Sequence, residues 1–92
     1  MIIKGMEHFQ RVCKEKLLEW YNNRRPEEIE EKNLSADDVY IVWSCKTLQN
    51  YKALASTTVR DGIYAEYTYN GDRQELYEDV YKKLTNTVIR EE

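Results

Sequence analysis

Between residues 6 and 23, apolar side chains recur at steps of three and four. Met6, Phe9, Cys13, Leu17, Trp20 and Tyr21 share one side, while Glu7, Arg11, Lys14, Glu15 and Glu19 take the other. That period predicts an amphipathic helix over 6–23. Glu7–Arg11 and Arg11–Glu15 stand at the spacing of helix-supporting ion pairs. The pattern stops at Asn22-Asn23, and Pro26 disfavours helix in the residue before it. From residue 39 the rhythm changes. Val39-Tyr40-Ile41-Val42-Trp43 is β-branched and aromatic, and predicts a strand running to Thr47. Lys52–Thr58 and Ile63–Tyr69 predict two more. Turns are expected at Gln49-Asn50 and at Arg60-Asp61-Gly62, where glycine suits a positive φ. After Asn70-Gly71, Asp72 reads as an N-cap with Glu75 as its capping-box partner. Leu76, Tyr77, Val80, Tyr81, Leu84 and Val88 would then form the apolar stripe of a second helix over 73–89.

The expected fold class is therefore α+β, in the order α-β-β-β-α. A three-stranded antiparallel meander carries two helices packed on one face, as a single domain over 1–92: helix 6–23, acidic linker 24–38, β-meander 39–69 and helix 72–90. Trp43, Ile41, Phe9, Leu17, Trp20, Val80 and Leu84 are the expected core. The register of the first hairpin decides which side of the second strand is buried, because a shift of one residue exchanges the faces. A three-residue loop puts Ala53 and Ala55 inside and is preferred, whereas a two-residue loop puts Leu54 and Ser56 there. Tyr40, Val42, Leu54 and Tyr64 are then left on the opposite face, a candidate interface. Burying them predicts a homodimer or a partner complex through the outer sheet face.

Composition narrows the chemistry. The net charge is −3 with charged residues at 34%, mixed along the chain rather than blocked, which argues against wholesale disorder. No apolar run suits a signal peptide or a spanning helix. Cys13 and Cys45 lack a CxxC context and are expected as reduced, buried thiols in a cytosolic protein. The sole histidine, His8, has no ligand partners at metal-binding spacing, so no metal or cofactor is expected. Gly5, Gly62 and Gly71 are isolated and build no phosphate loop. A Cys45–His8 nucleophile pair is disfavoured by the apolar setting of Cys45. No catalytic residue is assigned and the chain is not expected to be an enzyme.

The alternative partner is a nucleic acid or nucleotide, bound through the basic first helix and the 46–52 hairpin. The order α-β-β-β-α is also that of double-stranded-RNA-binding domains, whose last helix opens with lysines; here residues 71–79 hold four acids and one arginine, which repel phosphate. Residues 4–25 carry a surplus of +3, and residues 27–38 a deficit of −5. Lys46, Thr47, Gln49, Asn50, Lys52 and Arg60 gather amide, hydroxyl and cationic groups near the first hairpin. They form the candidate binding site for an anionic or peptide ligand.

The stretches VYIVWSCKTLQNYKALASTT and DGIYAEYTYNGDRQELYEDVYKK, within Val39–Lys83, resemble a family of small uncharacterised proteins of phages and prophages of Gram-positive bacteria. The resemblance covers about half of the chain and brings no catalytic or binding residues with it. It implies an accessory protein in the cytoplasm of a bacterial host cell, interacting with a host or phage protein, an inhibitor of a defence system being one such role.

Overall fold

The computed structural model describes residues 1–24 and 34–91. Helix α1 spans Met6–Arg24, a 3-10 turn covers Ala36–Asp38, and four strands follow: β1 Val39–Thr47, β2 Asn50–Thr57, β3 Ile63–Asn70 and β4 Glu75–Lys82. The strands form one antiparallel meander in the order β1-β2-β3-β4. Among the described residues, four strands and one α-helix thus replace the expected three strands and two helices. Most of the acidic linker, residues 25–33, lies outside the described residues.

The segment expected as a second helix is β4. Its apolar residues, Leu76-Tyr77 and Val80-Tyr81, are adjacent pairs four positions apart. A step of four returns to the same side in a helix and in a strand alike, so the spacing does not discriminate. Local chemistry decides for the strand. Asn70 Oδ1 accepts the backbone N–H groups of Asp72 (3.0 Å) and Arg73 (3.3 Å), and Gln74 takes a left-handed φ of 54°. This is a side-chain-braced hairpin turn, and Asp72 is part of it rather than an N-cap. Leu84, expected in the core, is 93% exposed beyond β4.

One inserted residue sorts the faces of β1. Ile41 opposes Ala55 but Trp43 opposes Leu54, so Val42 is the extra residue of a β-bulge. Before it, Val39 and Ile41 face the helix; after it, Ser44 and Lys46 do. Gln10 Nε2 donates to Ser44 Oγ at 2.8 Å across that interface. Trp43 is therefore carried to the outer face and is 42% exposed, against the expectation of a core tryptophan. Cys45 goes with it and is exposed, not buried. The bulge also overturns the preferred hairpin. Thr47 pairs with Asn50 around a two-residue loop, Leu48-Gln49, yet Ala53 and Ala55 are buried because the bulge restores the parity that the loop would have reversed.

The core lies between α1 and the inner sheet face. Phe9, Cys13 and Leu17 are fully buried, and Val12 and Tyr21 nearly so. Beneath them Ala53, Ala55 and Ala65 form a floor of small side chains that lets the helix sit close. Tyr51, Tyr67 and Tyr69 close its margin. Phe9 stacks on Tyr51 at 5.2 Å, and Tyr51 meets Tyr69 at 6.2 Å. Ile41, Trp20 and Val80, also expected inside, are half-buried at its edge. The Tyr67 hydroxyl donates to Glu78 Oε2 at 2.6 Å; burial and that carboxylate push its pKa up. Helix α1 starts at Gly5, whose carbonyl accepts the Phe9 N–H at 2.9 Å. His8 Nδ1 accepts the Lys4 N–H at 2.8 Å, which makes it the brace of that first turn. Asn22 then holds Leu34 by two hydrogen bonds, Leu34 N–H to Oδ1 (2.9 Å) and Nδ2 to the Leu34 carbonyl (3.2 Å).

Candidate interaction surface

Strand alternation projects a second set of side chains away from α1. The pairing aligns Tyr40, Ser56, Tyr64 and Tyr81 in one row across the outer face. Trp43, Leu54, Glu66 and Asp79 form the next, and Cys45, Lys52, Thr68 and Tyr77 the third. Tyr64 and Tyr81 stack at 5.3 Å, a cross-strand aromatic pair that stiffens the β3–β4 side. Lys52 and Glu66 pair diagonally at 3.3 Å, so that lysine is already engaged. The bulge residue Val42 stands beside Trp43. Tyr40, Val42, Trp43, Tyr77 and Tyr81 are all exposed, while Leu54 and Tyr64 are half-buried between them. Tyr40, Val42, Leu54, Tyr64, Arg60 and Lys83 contribute to the wall of an open concavity of about 920 Å³ at the end of the sheet where β2 turns into β3.

The four residues expected as an interface therefore share one face. Trp43, Tyr77 and Tyr81, which belong with them, were hidden by the bulge and by the helical reading of β4. The six residues of the expected binding site are dispersed instead. Lys46 faces inward, with its ammonium 5.7 Å from the Tyr51 ring centroid, and Lys52 faces outward. Gln49 Nε2 donates to Asp72 Oδ1, and Asn50 Oδ1 accepts the Gly71 N–H at 2.9 Å. These amides clamp the β1–β2 turn to the β3–β4 turn. Thr47 ends β1 at the same end, whereas Arg60 lies in the β2–β3 connection, a full strand length away.

Among the described residues, no group of three or more His, Cys, Asp or Glu side chains is placed to hold a metal ion, and no helix is long and apolar enough to cross a membrane. The two thiols differ sharply. Burial pushes Cys13 up to about 12, while Cys45 stands exposed on the outer face. A thiol reagent at neutral pH is expected to modify Cys45 alone in the folded protein, and Cys13 only after denaturant is added. Mass spectrometry of the labelled protein checks this; two labels without denaturant would contradict the burial of Cys13.

Residues 10–91 match a family model described as a family of unknown function, DUF6275. The chain belongs to that family. The match runs from α1 through the whole sheet and the run beyond β4, so the DUF6275 unit includes both faces described above. It assigns no activity. No curated protein and no solved structure matches the DUF6275 chain.

Proposed function

We propose that this DUF6275 chain is a non-enzymatic interaction module, whose outer sheet face binds an apolar patch on another protein. One observation carries the reading: Tyr40, Val42, Trp43, Tyr77 and Tyr81 stand exposed together on a face that α1 does not cover. Aromatic side chains supply large contact area at small entropic cost and are enriched where proteins meet. Glu75 and Asp79 on β4 line one margin of the patch, favouring a partner with basic residues at that rim. The sequence resemblance suggests a host or phage protein in the bacterial cytoplasm as that partner, a component of a defence system among the candidates.

The nucleic-acid alternative, through α1 and the 46–52 hairpin, draws less support. Glu7, Glu15 and Glu19 interleave with Arg11, Lys14 and Lys16 on α1, and Lys16 is paired with Glu19 at 3.4 Å. Lys46 and Lys52 point to opposite faces. Phosphate binding requires cations held on one surface.

The test is a capture from bacterial lysate, nuclease-treated and untreated, with wild type and with a Leu54→Lys, Tyr64→Lys variant. Both changes lie on central strands and outside the core. A protein retained after nuclease treatment is expected to bind the folded variant at least about tenfold more weakly, since two apolar contacts are lost. Equal capture by the variant, or loss of the captured protein on nuclease treatment, refutes the reading.

A further inference from the structure

From residue 83 to 91 the chain forms no helix, strand, turn or bend. The Lys83 N–H still donates to the Gly62 carbonyl at 2.7 Å. Past it, Leu84, Val88 and Ile89 are 93%, 72% and 86% exposed. A run with three bare aliphatic side chains and no ladder partner among the described residues is not a self-supporting structure. It continues an edge strand, because β4 pairs only with β3 and leaves its other row of N–H and C=O groups open.

The sequence of this edge is self-complementary. On β4, Leu76, Glu78, Val80 and Lys82 oppose the inner-face residues Tyr69, Tyr67, Ala65 and Ile63. Strand alternation, if carried forward on pairing, would put Leu84 and Val88 on that same side. Two such strands related by a two-fold axis at Lys82 would run antiparallel, with Val80 opposite Leu84 and Leu76 opposite Val88. A two-residue slip that keeps the faces destroys the match, setting Leu76 against Arg90 and Glu78 against Val88. On the inner side, the apolar positions 76, 80, 84 and 88 thus read the same in both directions about Lys82.

We infer that two copies of this chain associate edge to edge, the run 83–91 of each adding to β4 of the other. This seam joins two four-stranded sheets into one continuous sheet, through a two-fold contact in which each copy gives and receives the same segment. It rests on the edge, not on the outer face, and so stands independently of the interaction proposed above. Two pairs in the seam are unfavourable: Lys82 meets its own counterpart at the axis, and Glu75 falls opposite Ile89.

Sedimentation at micromolar concentration reads the association, and cross-linking reads the register. Wild type is expected to be a dimer. Leu84→Asp with Val88→Asp is expected to weaken it about 100-fold or more while leaving the circular dichroism of each protomer unchanged, since both side chains are exposed. Lys82→Val is expected to tighten it about tenfold by removing the like-charge pair. In a Cys45→Ser background, Lys82→Cys is expected to form a disulfide-linked dimer under mild oxidation, because residues directly opposite approach closely. Asp79→Cys is not, because its two copies would stand roughly 20 Å apart along the seam. A monomeric wild type overturns the inference, as does a dimer that survives Leu84→Asp, Val88→Asp. A dimer broken only by Leu54→Lys, Tyr64→Lys would move self-association to the outer face. Equal cross-linking at positions 79 and 82 would refute the register.

Discussion

Phe9→Ala is expected to remove about 3–5 kcal/mol of stability, whereas Trp43→Ala removes no more than about 1 kcal/mol. Phe9 is fully buried, stacked on Tyr51 and enclosed by the alanine floor. Its truncation leaves a cavity that α1 cannot close without losing the contacts of Cys13 and Leu17. A domain of this size has roughly 5–15 kcal/mol in total, so the Phe9 variant should lie near its unfolding threshold. Trp43 is the larger residue and would dominate the core of a regular β1. The bulge at Val42 puts it outside, where truncation removes partial contacts and opens no enclosed void. Urea denaturation of the two variants measures the contrast. A Trp43→Ala loss as large as that of Phe9→Ala would place the tryptophan under the helix and contradict the bulge.

Gly71→Ala should be the most damaging of the conservative changes, at about 2–4 kcal/mol from overpacking and lost hydrogen bonds. A β-carbon there would collide with the Gln49 carbonyl oxygen and stand under 3 Å from the Gln49 side chain. Backbone has to move to relieve that contact. The shift would separate the two turns and break the bonds from Gly71 to Asn50 and from Gln49 to Asp72. Asn50→Ala removes one of those bonds without a clash, and is expected to lose only about 1 kcal/mol. Thermal denaturation of both variants checks the order. If Gly71→Ala proved as mild as Asn50→Ala, the close approach of the turns would not exist in solution.

The parts of this fold legible in the sequence are those where one period excludes the other. Phe9, Cys13, Leu17 and Tyr21 repeat every four residues through a stretch too long and too evenly flanked by charges for a strand, and the helix that this period predicts over 6–23 agrees with α1 to within a residue. Val39–Thr47 and Ile63–Tyr69 were equally clear from their β-branched and aromatic content. Two features escaped. The pairs Leu76-Tyr77 and Val80-Tyr81 satisfy both periods, and Asn70-Gly71-Asp72 serves a hairpin as well as a helix start. Only pairing with β3 separates the two, and pairing is not local. The bulge leaves no mark in residue types either, since Val42 looks like any strand residue. Its effect is on parity: alternation without it puts Tyr40 outside and Trp43 inside, and Leu54 then falls outside only with a three-residue loop, which is not observed. The proposed surface was legible as far as Tyr40, Val42, Leu54 and Tyr64. Its β4 members required the fourth strand.

The strand order has a consequence for how the chain acquires its structure. Every ladder in the sheet joins strands adjacent in sequence, through connections of two to five residues, so the loops to be closed are short and their entropic cost is small. The sheet can grow one hairpin at a time, with the clamped turns at 49–50 and 71–72 registering the first hairpin against the third strand. Docking α1 is the step that brings distant segments together, since Phe9 must find Tyr51 and Gln10 must find Ser44. Low contact order in the sheet and one late, long-range closure by the helix favour rapid hairpin formation followed by a slower consolidation of the core.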